Sequence, residues 1–148
     1  MDGVLTDGSL LVSEEAEPLR TMDIKDGLAL HKAVEAGYKI IVITGSSSEA
    51  VKKRLNYLGI TEVYAKVKDK ETILTQFAVS QKLSMQEIMY VGDDLPDLKP
   101  MKMAGVAACP YDAVPEVREI SMYVSDKPGG KGCVRDVIRQ VMKLQNKW

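Results

Sequence analysis

Disulfide chemistry, membrane anchoring and nucleic-acid binding have little to work with in this sequence. Its 148 residues include two cysteines, one histidine, one tryptophan and one phenylalanine. Cys109 and Cys133 could form one bridge at most, far from the dense framework of small secreted domains, so buried free thiols are expected. No apolar run approaches the ~20 residues that cross a bilayer, and the N-terminus has neither a basic flank nor an apolar signal core. Neither sign of charge dominates, with 20 Lys plus Arg against 21 Asp plus Glu, so there is no basic footprint for nucleic acid and no acidic tail. The expected setting is cytoplasmic, with neither nucleic acid nor membrane as partner.

What is present is an ordinary globular composition, 45% apolar and 28% charged, at a length suited to a single domain over residues 1–148. Gly8 to Pro18 reads as a hairpin with exposed apolar positions. Helical spacing follows over 27–36, with Gly37 placed as a C-cap. Tyr38 to Gly45 is short, β-branched and almost wholly apolar, as befits a strand buried on both faces of a parallel sheet. The alternation continues: helix 47–58, strand 63–65, helix 70–82, strand 88–91, helix 95–103 and strand 106–108. A short helix from Pro115, a strand at 122–124 and a C-terminal amphipathic helix complete it. Strands alternating with helices at this spacing predict an α/β fold, a Rossmann-like parallel sheet flanked by helices. No linker, repeat or low-complexity segment interrupts the pattern.

In such a sheet, ligands bind beyond the carboxyl ends of the strands. Four places there carry chemistry: Asp2, Thr6 and Asp7 in MDGVLTDG; Thr44-Gly45 after a strand; Lys70 opening a helix; and Asp93, Asp94 and Asp97 in GDDLPD. Singly, each has a structural explanation as a turn, a solvated charge or a helix cap. Together, the carboxylates offer hard oxygen to a divalent cation, while a hydroxyl, a turn amide and a lysine suit phosphate.

In these motifs the sequence resembles the haloacid dehalogenase-like phosphatases, whose four motifs occur in this order along nearly the whole chain. It is most similar to the capless small-sugar phosphatases, with DGVLTDG, a hairpin, the Asp26-Gly27 turn and GGKGCVR at 129–135. The resemblance implies Mg2+ held by Asp2 through its backbone carbonyl, by Asp93, and by Asp94 through water. It implies catalytic roles for Asp2, Thr44 and Lys70, and phosphate or substrate binding by Thr44, Gly45, Lys70, Asp26, Gly27, Gly130, Gly132 and Arg135. Asp97 is expected to orient Lys70 or its loop. The implied substrate is a sugar phosphate, 3-deoxy-D-manno-octulosonate 8-phosphate. A nine-carbon keto-sugar 9-phosphate, a broad range of small phosphates, or a non-catalytic oligomerising domain are the alternatives. With no cap domain, the relatives close their sites by forming tetramers through the hairpin, so a homotetramer is implied, with Leu10, Leu11 and Val12 at the interface. His31 is read as structural or solvent-facing, and Trp148 as an anchor for the last helix.

One departure stands out. The family's nucleophilic aspartate lies two residues before its acid/base aspartate, and Asp2 matches the latter. The family's first strand, central in its sheet, should precede that motif, and leaving neighbouring ladders unpaired would cost ~1 to 3 kcal/mol per buried group. The expectation is a longer chain reading Asp-Met-Asp-Gly-Val in which Met1 is internal or a misplaced start. The rival is natural loss of the nucleophile; a minor alternative makes Asp2 itself the nucleophile.

Overall fold

Three short polar side chains start three of the helices. Asp23 accepts hydrogen bonds from the N–H groups of Lys25 and Asp26, Ser48 from that of Val51 and Asp69 from that of Thr72, which satisfies donors that a helix start leaves free. They open α1 (Ile24–Glu35), α2 (Glu49–Tyr57) and α3 (Lys70–Gln81). Because Asp23 is the cap, α1 begins before residue 27, and Asp26 and Gly27 lie inside the helix. The strands are β1 (Ile41–Ile43), β2 (Glu62–Tyr64), β3 (Met89–Val91), β4 (Val106–Cys109) and β5 (Tyr123–Val124). Between them and after them run α4 (Leu98–Met103), α5 (Pro115–Ile120) and α6 (Cys133–Leu144). The structure is a computed structural model and describes residues 1–12, 14 and 17–148.

Every strand pair is parallel, as the alternation predicts, but the strands form two sheets rather than one, β1-β2 and β3-β4-β5. The reason lies in which way the backbone groups point. The Thr44 N–H donates to Tyr64 and the Gly92 N–H to Ala108. Alternation along a strand then turns the amides and carbonyls of Ile41 and Ile43 away from β2, and those of Met89 and Val91 away from β4. The sheets lie side by side, since Val42 and Val91 pack into one apolar cluster and Ile43 and Tyr90 into the other. No strand in the described residues joins β1 to β3. Residues 1–5 instead make a turn, with the N–H groups of Val4 and Leu5 both donating to the Met1 carbonyl.

That N-terminal loop is pinned by the glycine-rich segment. The Gly130 N–H donates to the Val4 carbonyl at 2.9 Å, and a Cβ on Gly129 would stand 1.9 Å from the Gly3 carbonyl oxygen. The contact is backbone on backbone, so only glycine fits. The Asp26 carboxylate, 1% exposed, accepts from the N–H groups of Gly132 at 3.1 Å and Arg135 at 2.7 Å. It therefore caps α6, whose own cap position is a glycine. Burial raises the Asp26 carboxyl above its usual range, against the pull of those two amides.

The hairpin is tied by one antiparallel bridge between Leu11 and Leu19, and Leu10, Leu11, Val12 and Leu19 remain exposed; Ser13, Glu15 and Ala16 of that reading lie outside the described residues. Both cysteines are buried and free, as expected, and burial pushes the Cys133 thiol up to about 12. His31 is surface-exposed beside Glu35. Trp148 lies against Lys32 and Arg135 of its own chain.

Replacing Asp26 by alanine strips two partly buried amides of their acceptor, and the expected loss is about 1–3 kcal/mol. Urea unfolding would read this as a lower midpoint, and an unchanged midpoint would show that α6 does not depend on this cap.

Candidate active site

The carboxyl ends of β1 and β3 open on one cavity of about 270 Å³ lined by Met1, Asp2, Gly3, Thr44, Gly45, Lys70, Asp93, Asp94 and Asp97, among others. The four sequence motifs therefore converge. Asp26, Gly27, Gly130, Gly132 and Arg135 do not line it, and the contacts they make within the chain are structural ones. Asp26, Gly132 and the Arg135 amide are engaged in capping α6, and Gly130 in packing the first loop. The Arg135 guanidinium lies over the Trp148 ring. Gly27 faces Arg54, whose guanidinium would meet an added Cβ at 2.9 Å.

Lys70 comes from the first turn of α3, and its Nζ donates to Asp97 Oδ1 at 2.7 Å. The Tyr90 hydroxyl donates to the same oxygen at 2.9 Å, while the Asp93 N–H donates to Asp97 Oδ2. Burial alone would raise the Asp97 carboxyl, but the bond and charge of Lys70 and the Tyr90 hydroxyl hold it below the usual range. Lys70 is thus a fixed cation at the cavity wall.

Asp93 is in a different state. Burial pushes its carboxyl up to about 6, helped by Asp97 and Asp94 and opposed by Lys70 and the Met1 amino group. Among the described residues no hydrogen bond reaches its side chain. The carboxylate lies over Gly3, where a Cβ would stand 1.9 Å from Asp93 Oδ2, so the loop must carry glycine at that point.

Asp2 is held from the other side. Its Oδ1 accepts from Arg20 Nε at 2.8 Å, and its Oδ2 from Arg20 Nη2 at 3.4 Å and from the Ser46 hydroxyl at 3.0 Å. These bonds outweigh burial and keep its carboxyl below the usual range. Thr44 Oγ1 lies 3.0 Å from the Ser46 hydroxyl. Thr6, 0% exposed, accepts from the N–H groups of Gly3 and Gly8 and so holds the loop's shape. Asp7, next to the cavity-lining Gly8, lies 3.9 Å from Lys131. Arg20, Ser46 and Tyr90 were missed in the sequence. Only Ser46, at a strand end beside Thr44, carried a local signal.

Among the described residues no cluster of three or more His, Cys, Asp or Glu side chains could hold a metal. Asp2, Asp93 and Asp94 do not form one: the Asp2 carboxylate is taken by Arg20 and Ser46, and exposed Asp94 accepts from the Leu95 N–H. The remaining donors are the Asp93 carboxylate and the Asp2 carbonyl, to which no described backbone N–H donates. Both are hard oxygens, and one or two carboxylates with water and phosphate are what magnesium takes; the residues fit that ion.

The profile of the haloacid dehalogenase-like hydrolases matches residues 19–105. The 3-deoxy-D-manno-octulosonate 8-phosphate phosphatase KdsC of Escherichia coli K12 is 30% identical over 147 residues, 99% of this chain and 78% of the relative. The chain belongs to the haloacid dehalogenase-like hydrolases. The crystal structure of the corresponding Yersinia pestis phosphatase superposes on this hydrolase with a TM-score of 0.96 at 29% identity, covering 99% of this chain and 79% of that one. That of the Moraxella catarrhalis enzyme, in complex with magnesium, phosphate and KDO, gives 0.95 at 34% identity over 98% and 83%. The capless α/β fold is that of these phosphatases, and this hydrolase is a phosphatase of the same family.

The raised Asp93 carboxyl has a consequence for the metal-free hydrolase. Its contribution to stability is complete below the ordinary value of 3.8 and is lost as pH rises through about 6. Asp93→Asn should therefore be more stable than the parent at pH 8, by up to about 3 kcal/mol, and the gap should close at pH 4. Urea titrations at the two pH values check this, and a gap independent of pH would contradict it.

Proposed function

We propose that this hydrolase is a magnesium-dependent phosphatase of 3-deoxy-D-manno-octulosonate 8-phosphate, working with an aspartate joined to Met1. The observation that carries the reading is the convergence of Thr44, Lys70 and Asp93 on one cavity with the Met1 backbone nitrogen. The Met1 amino group is buried beside Lys70, Asp97, Asp93 and Asp2. A residue bonded to it would stand among the groups that phosphoryl transfer requires. An extended segment leading to that residue would find the amides and carbonyls of Ile41, Ile43, Met89 and Val91 as ladder partners and would join the two sheets.

In this reading the added aspartate attacks phosphorus and the sugar oxygen leaves, which splits hydrolysis into two easier displacements. The Thr44 hydroxyl and the Gly45 amide donate to phosphate oxygens. Lys70, fixed by Asp97 and Tyr90, offsets their charge. Asp2 hands a proton to the departing sugar oxygen and then takes one from the attacking water. Asp93, the Asp2 carbonyl and the added aspartate would hold magnesium, with Asp94 as a more distant carboxylate. When bound, the ion neutralises phosphoryl charge and aligns the group for in-line attack. Lys131, paired with Asp7 next to the cavity-lining Gly8, is the cation that would meet the sugar acid's carboxylate.

The same proposal includes a homotetramer and a cytoplasmic setting. Leu11, Val12 and Leu19 are 69%, 73% and 62% exposed, and such a hairpin left uncovered is an aggregation hazard. Two free buried thiols suit a reducing compartment. No described helix is long and apolar enough to cross a membrane. The rival is the oligomerising domain without catalysis, in which the exposed hairpin would be the working surface.

The test is a chain extended by an apolar strand ending in aspartate directly before Met1, assayed with magnesium. It should release phosphate from the eight-carbon 8-phosphate faster than from a nine-carbon 9-phosphate, and asparagine in place of the added aspartate should abolish release. A folded extended chain inert toward both substrates would transfer the case to the non-catalytic domain. On gel filtration the parent should elute as a tetramer and the Leu11→Glu, Val12→Glu double variant as a smaller species; a monomeric parent would rule out assembly through the hairpin.

A further inference from the structure

We infer that Arg20, on the returning arm of the hairpin, is the positioning residue that sets the orientation of the Asp2 carboxylate. The inference rests on the proton-transfer role proposed above for Asp2. Arg20 does not line the cavity; it reaches Asp2 from behind. Its side chain is 6% exposed, although Leu11 and Leu19 beside it are open to solvent. A guanidinium that buried must be paired to be tolerated, and its acidic partner is Asp2, engaged through Nε and Nη2, with Nη1 spent on the Pro18 carbonyl at 3.2 Å.

The planar fork of arginine fixes the plane of the carboxylate as well as its distance, which a lysine ammonium does not do. The backbone cannot supply that control. The turn from Met1 to Leu5 and the Gly3 contact place the Asp2 Cα, but its rotamer is free apart from Arg20 and the Ser46 hydroxyl. Arg20 follows Leu19 directly, and the Leu11–Leu19 bridge therefore places its backbone. The line of control runs from the hairpin through Arg20 to the oxygen that must meet the leaving group. Proton transfer is efficient only at hydrogen-bond distance and in line, so a swung carboxylate would leave substrate binding intact while impairing departure of the sugar.

Two measurements test this, one independent of activity. In the 148-residue chain, three-bond NMR couplings at Asp2 Cβ should report a single rotamer, and Arg20→Met should average them while the melting temperature stays within a few degrees. An Asp2 already averaged in the parent, or unmoved by Arg20→Met, overturns the inference whether or not the protein is an enzyme.

In the extended, phosphate-releasing chain, Arg20→Met should lower kcat for the sugar phosphate by about tenfold or more, with KM within about threefold. With p-nitrophenyl phosphate, whose phenolate leaves without a proton, kcat/KM, which reports departure of the leaving group and not the later hydrolysis common to both substrates, should change by less than about threefold, while for the sugar phosphate it should fall with kcat. Arg20→Lys should recover part of the loss, and in an Asp2→Asn background Arg20→Met should cost little more. Equal loss of kcat/KM on both substrates would mean a merely structural arginine, and a raised KM with kcat intact would mean a substrate ligand. Either result overturns the positioning role. A parent extended chain without phosphatase activity would instead count against the proposed function, and the NMR result would still decide Arg20.

Discussion

The Asp97 carboxylate receives the ammonium of Lys70 from α3, the hydroxyl of Tyr90 from β3 and the N–H of Asp93 from the loop beyond β3. Three separately folded pieces are thereby brought to one point. Because the pair is nearly buried, with Lys70 and Asp97 side chains 13% and 6% exposed, either charge alone would be costly there. The site's fixed cation therefore exists only while this carboxylate does. Asp93, one turn earlier, is left without such a partner, and the contrast between the two aspartates is what gives the cavity an anion that wants a cation.

A second constraint acts through backbone rather than charge. The first loop has no strand of its own in the described chain, and its position comes from Gly129 and Gly130 packing directly on Gly3, Thr6 and Asp7. The family resemblance implies a substrate-binding role for the glycine-rich segment. In the structure Gly129 and Gly130 let two backbones touch.

The alternating architecture was legible because each strand is a short apolar run ending in polar residues, and because Gly and Pro punctuate the turns. Helix starts were less so: α1 begins at Ile24 after its Asp23 cap, and Asp26-Gly27 looked like a turn because an acidic residue followed by glycine also reads that way. Thr44, Lys70 and Asp93 were legible through their places after strands and at a helix start. Arg20 was not, since its contact with Asp2 spans 18 positions and passes through a hairpin whose register the sequence leaves open. Tyr90 was hidden in an apolar strand, where an aromatic residue reads as core.

Asp26 caps a helix more than a hundred positions away, and that has a bearing on the order of events in synthesis. The segment of α6 opens with glycine where a capping side chain would sit, so on its own it begins with unmet amides and nucleates poorly. By the time it emerges, α1 has long been made, and Asp26 is already presented. The last helix is thus completed by docking on an older one, a template that favours its attachment only after the earlier part of the chain has folded.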